Sequence, residues 1–453
     1  MSAQTPAPTR REAFGRWVFG PELAAPRRLG LFAAVVAAML VAGILITFYR
    51  LPSDQRNLIW AEDGTVFLTD AFRNGYLSNL FTPYAGYMHF VPRTAAQLVA
   101  AVVPLRDLGI AMNLIGAAVW STVAIAAFVF TRGRLQTPLR WLLWLLVLLL
   151  PIGSMEVATN VANSHWFLIF GVFLALSARS GGVVRTVFAS VIVLAAVLSD
   201  PLALLFAPLV VARLVGLRTV RENIVSIVFV AAAVIQIVVD LGTHRDREQP
   251  EFDPIGLGRV YALRVIWGTL MGPKDGSVVF YTIGDLPVLI VAALVLAALV
   301  TLIVLRRHRA GFATLALIGS LGFFGVLGVL TWGALGMEPF GVVIYWAGRY
   351  LVVASLLLIT AIVAVLSIWI PEAGTARRPA LRVVALVIAG ALLIAPGISN
   401  YRTPAYKAGG TQTSSGLQTA EDRCELRHTA TAPVPIAPRE FSMILPCRLL
   451  LEP

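Results

Sequence analysis

Charged residues are scarce in this chain. Asp, Glu, Lys and Arg make up 13% of its 453 residues, whereas 58% are hydrophobic. Soluble domains carry roughly 25% charged residues, so the shortage excludes an ordinary soluble protein. With a mean hydropathy of +0.82, the chain reads as an integral membrane protein. Negative charge is the scarcer sign, and the net charge is +12. The basic residues, however, stand in short clusters between apolar runs, which is the pattern of cytoplasmic loops, so no nucleic-acid partner is expected. No cleavable leader is expected either. Arg27-Arg28 precede an apolar run from Leu29 to about Phe48, too long for a signal-peptide core. No internal repeat stands out, which counts against a transporter built from inverted halves. Cysteine is nearly absent. Cys424 and Cys447 both fall in the polar C-terminal tail, where a pair confined to one short exported segment favours a disulfide. Two unrelated free thiols are the alternative.

A spanning helix needs about 20 apolar residues. By that rule the expected fold is an all-α integral membrane protein with about eleven transmembrane segments. Their approximate bounds are 29–49, 108–130, 138–152, 163–178, 184–199, 201–216, 223–240, 284–305, 311–332, 342–370 and 380–397. Several are shorter than an ideal span and read as tilted, broken or bundle-buried. The expected division is a cytoplasmic, poorly ordered tail over 1–28, a transmembrane domain over 29–397, and a small extracytoplasmic region over 398–453. With the N-terminus inside, the inner loops hold 19 basic residues against four acidic ones, and all other segments share 17 basic and 20 acidic. This frame obeys the positive-inside rule at every loop. An odd number of crossings then puts the C-terminus outside, in the oxidising compartment that the cysteine pair favours.

Three outer segments exceed a turn. The first, about Arg50 to Arg106, contains two amphipathic pieces, Thr65–Arg73 and Arg93–Val103, which read as interfacial helices. The second runs from about Leu241 to Gly284. The third is the tail, expected as short strands too small to hold without a disulfide.

Four clusters at the outer side have the residue types for chemistry. Trp60-Ala61-Glu62-Asp63-Gly64 places adjacent carboxylates at a membrane lip, where ionisable groups are costly and usually functional. The competing reading is a pair that simply ends a helix in water. Tyr84-Ala85-Gly86-Tyr87-Met88-His89-Phe90-Val91-Pro92-Arg93 could stack on a sugar through Tyr87 and His89 and reach phosphate through Arg93. It could equally be an aromatic belt with a snorkelling arginine. In Glu156-Val157-Ala158-Thr159-Asn160-Val161-Ala162-Asn163-Ser164-His165-Trp166, the residues Glu156, Asn160 and Asn163 have helical spacing and could share a face. His165 opens the next apolar run, where an unpaired polar group is costly. Asp200-Pro201 reads as the capped turn of a helical hairpin. In Trp346-Ala347-Gly348-Arg349-Tyr350, Arg349 at the outer lip can bind phosphate in a bidentate fashion; the competing reading is a snorkelling arginine. Arg259, Arg264 and Lys274 are weaker phosphate candidates.

Together, Glu62-Asp63, the long first outer loop, the number of apolar runs and the late Arg349-Tyr350 pair resemble the GT-C superfamily of polyprenyl-phosphate-sugar-dependent glycosyltransferases. The resemblance covers about residues 29–397. It implies an inverting transfer of sugar from a lipid phosphate to a cell-envelope glycan or lipid-linked acceptor, on the extracytoplasmic face of the plasma membrane. It places the general base on Asp63, with Glu62 as the other candidate. The donor contacts expected from the residue clusters themselves are Arg349, Tyr350, His89, Arg93, Tyr87, Glu156, Asn160, Asn163 and His165. Some members use a divalent metal and others do not. No second acidic motif here demands one, so no metal ligand and no other cofactor is expected. The Ala- and Arg-rich, Lys-poor composition also resembles that of high-GC actinobacterial chains, for which the donors would be decaprenyl-phosphate sugars. The runner-up function is a multi-pass transporter or flippase for a lipid-linked sugar.

Overall fold

In hydrocarbon a backbone can satisfy its own N–H and C=O groups only as a helix or a closed barrel, and the apolar runs here are helical. A computed structural model describes residues 9–23, 29–154, 157–243, 253–331, 348–371, 379–402 and 409–451. Helix α1 (Arg10–Phe19) precedes α2 (Leu29–Phe48). After α2 comes a π-helical turn, Asp63–Leu68, continued by α3 (Thr69–Arg73), α4 (Tyr76–Phe81) and α5 (Phe90–Val102). Then follow α6 (Leu108–Phe130), α7 (Thr137–Leu148), α8 (His165–Ser177), α9 (Val183–Val197), α10 (Ala207–Gly216) and α11 (Val220–Leu241). Next, α12 (Pro254–Val260), a second π-helical segment (Tyr261–Trp267) and α13 (Gly268–Ile283) lead to α14 (Asp285–Leu305), α15 (Gly311–Leu330), α16 (Val352–Trp369) and α17 (Pro379–Ser399). The C-terminal unit consists of α18 (Thr413–Arg427), the antiparallel strands β1 (Thr431–Pro435) and β2 (Ser442–Pro446), and α19 (Cys447–Leu451).

Among the described residues, seven helices are long and apolar enough to cross a membrane: α2, α6, α11, α14, α15, α16 and α17. The remaining four expected segments, 138–152, 163–178, 184–199 and 201–216, contain helices that are shorter than a full span. Burial explains the difference for α8. Every one of its residues is buried, so it is a core helix lined by protein. The outer helices show the opposite character. Leu294 of α14 is 64% exposed and Leu392 of α17 is 70% exposed. Apolar faces of that extent need lipid, not water, around them, and the chain is a helical membrane protein.

Several arginines read as topology markers have a further role. The last carbonyls of a helix lack intrahelical donors and carry partial negative charge. At the end of α8, Arg213 donates to Leu176 O (2.8 Å) and to Ala178 O, and Arg134 donates to Ser177 O. At the end of α6, Arg140 donates to Phe128 O (2.9 Å) and Arg185 to Phe130 O (3.1 Å). The expected disorder of the N-terminal tail is corrected over residues 10–19. Thr9 and Glu12 form a capping box, and α1 packs against α10 and α15, with Trp17 Nε1 donating to Arg307 O (2.8 Å).

The C-terminal region is more helical than the strands expected for it, because α18 lies across the hairpin. Cys424 and Cys447 form a disulfide that joins α18 to α19. This unit does not stand apart. Val434, Ile436, Met443 and Leu445 share one apolar core with Ile59, Phe67, Leu68, Ala96 and Val161.

Candidate active site

The acidic pair enters its turn through contacts with the C-terminal unit. Ala61 N–H donates to Ala437 O (2.6 Å) and Ala437 N–H donates to Ile59 O (3.0 Å). Ala61 has φ 33°, a backbone region costly to a residue with a Cβ. The two carboxylates then differ. Glu62 is half-buried. Asp63 is 2% exposed; its Oδ1 accepts from Ala162 N–H (2.7 Å) and its Oδ2 from Val161 N–H (3.2 Å). Asp63 thus bridges to a segment nearly 100 residues away and fixes the start of its own helix.

The same segment continues the network. His165 Nδ1 lies 2.8 Å from Ala162 O, and its Nε2 lies 3.2 Å from Asp200 Oδ2. A carbonyl oxygen accepts only, as does an ionised carboxylate. For both contacts to be hydrogen bonds, the pair must hold one proton more than a neutral imidazole beside a carboxylate. Asp200 Oδ1 also accepts from Leu202 N–H (2.7 Å), capping the next turn. One residue earlier, Ser199 Oγ accepts from Val91 N–H (3.1 Å), and Phe90 N–H donates to Leu198 O (3.1 Å). The start of α5 is thereby tied to the end of α9.

An aromatic cluster covers this junction. Tyr87 stacks on His89 at 4.2 Å, and Tyr84 and Phe67 each lie 5.3 Å from that ring. Burial, reinforced by His165 and Arg93 and opposed by the Tyr87 carbonyl, pushes the His89 imidazole down to about 3. Burial and then the Glu62 charge push the Tyr84 phenol up, while Arg349 pulls it down. Tyr84 therefore lies within the fields of both Glu62 and Arg349, and the Arg349 charge also reaches His165. The half-buried Arg349 guanidinium lies 5.0 Å over the Tyr350 ring, with Nη2 3.4 Å from its hydroxyl. Tyr350 in turn meets Trp166 edge-on at 5.4 Å.

The fold thus gathers Glu62, Asp63, Tyr87, His89, His165, Arg349 and Tyr350 where the ends of α8, α9 and α16 meet the connection after α2. Other predicted residues take different places. Arg93 is 1% exposed; it pairs with Asp70 (3.0 Å) and donates to Asn79 Oδ1, holding α3 and α4 to α5. Asn160 and Asn163 do not share a helical face, because residues 157–164 form turns with Thr159 at φ 58°. Instead Asn163 N–H donates to Asn160 Oδ1 (3.3 Å). Among the described residues, no hydrogen-bond acceptor meets the buried Asn160 Nδ2 or Trp166 Nε1. Arg259 pairs with Asp285 (2.8 Å), and Arg264 is buried on the second π-helical segment. The Lys274 backbone N–H is taken by Asn400 Oδ1 (2.9 Å). Glu156, Trp346 and Ala347 lie outside the described residues. Among the described residues, no three His, Cys, Asp or Glu side chains come together as a metal ion would require.

Three contributors escaped the sequence reading: Asp200 as the partner of His165, Asn113 and Gly116. Asn113 Nδ2 lies within bonding distance of Arg56 O (3.0 Å) and Leu58 O (3.1 Å), while its Oδ1 accepts from Thr159 Oγ1 (3.2 Å). It therefore ties the approach to Glu62 to the turns that hold Asp63. An Asn inside an apolar run was the available signal. Gly116 sits where any Cβ would collide with the Thr159 carbonyl.

No protein-family model matches the chain, and no curated protein matches it. Fold and site together define a polytopic helical membrane protein with an acidic, aromatic and cationic cluster at its helix ends.

Two predictions concern this network. Asp63→Ala leaves the Val161 and Ala162 N–H groups buried without an acceptor. The expected loss of stability is about 2–5 kcal/mol, read as a lower unfolding temperature in detergent. An unchanged unfolding temperature would refute the bridge. For His89, the folded value of about 3 lies below the ordinary 6.5. Between those limits the unfolded chain binds more protons, so stability falls as pH falls, by at most about 1.4 kcal/mol per pH unit. Wild type should lose more stability than His89→Phe between pH 7.5 and pH 5.5, and equal losses would contradict this.

Proposed function

We propose that the chain is an inverting glycosyltransferase of the GT-C type, moving a sugar from a polyprenyl phosphate to a cell-envelope glycan or lipid-linked acceptor. In this reading the four shorter helices complete eleven crossings, with the N-terminus cytoplasmic and the C-terminus extracytoplasmic. The single observation that carries the proposal is the run of contacts joining the acidic pair to Arg349: Asp63 accepts from Val161 and Ala162 N–H, and Trp166 of the same stretch meets Tyr350, over whose ring the Arg349 guanidinium lies. Carboxylates and a guanidinium held on one frame provide the opposed charges that such a transfer requires.

The base takes the proton from the acceptor hydroxyl as its oxygen attacks the anomeric carbon. The bond from that carbon to the phosphate oxygen breaks on the opposite face, and polyprenyl phosphate leaves with the electron pair. One displacement inverts the centre. Glu62 is the better-placed base, because both oxygens of Asp63 already accept backbone N–H bonds. Asp63 is then the anchor that holds Glu62 in position. Arg349 balances the charge on the departing phosphate, while Tyr87 and Tyr350 supply ring faces for the sugar.

The test is release of polyprenyl phosphate by purified protein from a panel of polyprenyl-phosphate sugars, with a membrane glycan extract as acceptor. Release tied to glycosylation of the extract supports the proposal. Movement of intact lipid-linked sugar across a vesicle wall without release would replace it with transport.

A further inference from the structure

The six-residue turn carrying Asp63 and the five-residue α3 after it are too short to hold a helical conformation alone. Their support comes from the far end of the chain. Ala437 bonds to the backbone on both sides of Trp60, at Ile59 O (3.0 Å) and Ala61 N (2.6 Å). Ile444 N–H donates to Thr69 Oγ1 (3.0 Å), whose own hydroxyl donates to Gly64 O (2.8 Å). At Gly64 a Cβ would lie 2.5 Å from Ile436 Cδ1 and 2.9 Å from Ile59 Cγ2. The β1–β2 hairpin is therefore in full contact with the turn next to Glu62-Asp63. At the start of α18, Gln412 Nε2 donates to Asp54 O (2.5 Å), and Thr413 Oγ1 donates to Asn57 O.

We infer that the C-terminal unit is the positioning element of the acidic pair, with Ile436, Ala437 and Ile444 as its positioning residues. The Cys424–Cys447 disulfide makes that positioning dependent on oxidising conditions. The physical reason is size. A unit of this length buries too little to hold its own shape, and a disulfide is the usual remedy. Closing a loop across a separation of 23 residues removes much of the freedom the unfolded unit would regain. With the disulfide open, the hairpin loosens and the backbone from Ile59 to Thr69 loses its clasp. The structural claim stands on these contacts; its catalytic consequence rests on the reading of Glu62 as base.

The experiment is amide hydrogen exchange of the full-length protein in detergent, before and after reduction, with thiol labelling to show that the disulfide has opened. Exchange over residues 61–69 should accelerate at least about tenfold while α8 and α16 keep their rates. Ile436→Ala, which leaves the cysteines intact, should act in the same direction, and Ile436→Val should restore near-native exchange. In sugar transfer, Ile436→Ala should lower kcat about tenfold or more with little change in donor KM, because misplacement of a reacting group costs turnover. Unchanged exchange over 61–69 in both the reduced protein and Ile436→Ala would overturn the proposal. Equal acceleration throughout α8 and α16 would also overturn it, since the unit would then be a general brace. If wild type transfers no sugar, the exchange measurement still decides the structural claim, and the failure belongs to the proposed function.

Discussion

Replacing Glu62 by Gln should lower sugar transfer by about 10²–10⁴-fold, the usual worth of a general base. The amide has nearly the size of the carboxylate and keeps its hydrogen-bonding reach, but cannot take the acceptor's proton. Glu62 is half-buried and makes no described contact comparable to the paired bonds of Asp63, so stability should stay within about 0.5 kcal/mol of wild type. Donor KM should change little, because the lost interaction is made in the transition state. A folded Glu62→Gln protein with full turnover would remove Glu62 from the mechanism.

Arg349→Ala carries the second large effect. The guanidinium is packed over the Tyr350 ring at 5.0 Å, and that ring meets Trp166 beside His165 edge-on. Loss of a preorganised group facing a departing oxyanion costs about 10²–10³-fold in turnover. In the proposed reading the same contact would serve the ground-state phosphate, so donor KM should also rise. Arg349→Lys should recover only part of the loss, since an ammonium keeps the charge but neither the planar fork nor the stacking on Tyr350. Equal activity of the alanine and wild-type proteins across a donor titration would place the phosphate elsewhere.

The membrane character and the long helices were legible because a span needs a run of apolar residues that few other structures require. Helix α8 departs from that rule because it is buried in protein on all sides, and a length criterion tuned to lipid does not describe it. The arginines after the apolar runs were legible as topology signals. Their bonds to helix-end carbonyls follow from the same position. The Thr9–Glu12 spacing before α1 is that of a capping box, although the polar composition around it reads as a disordered tail.

The candidate site was legible in residue types and not in partnerships. Asp63 finds its donors at Val161 and Ala162, and Ala61 meets Ala437. Such long-range pairings have no local signature. The 160/163 spacing suggested a helix face, but the positive φ of Thr159 and its close approach to Gly116 turn that segment into a series of bends. Adjacent residues 62 and 63 looked interchangeable in sequence, whereas burial separates them.

The most direct measurement compares Glu62→Gln and Asp63→Asn side by side, recording sugar transfer and thermal unfolding for each. Glu62→Gln should unfold like wild type and transfer almost nothing. Asp63→Asn should unfold at a lower temperature and retain measurable transfer below its own transition. A stable, inactive Asp63→Asn beside an active Glu62→Gln would contradict it.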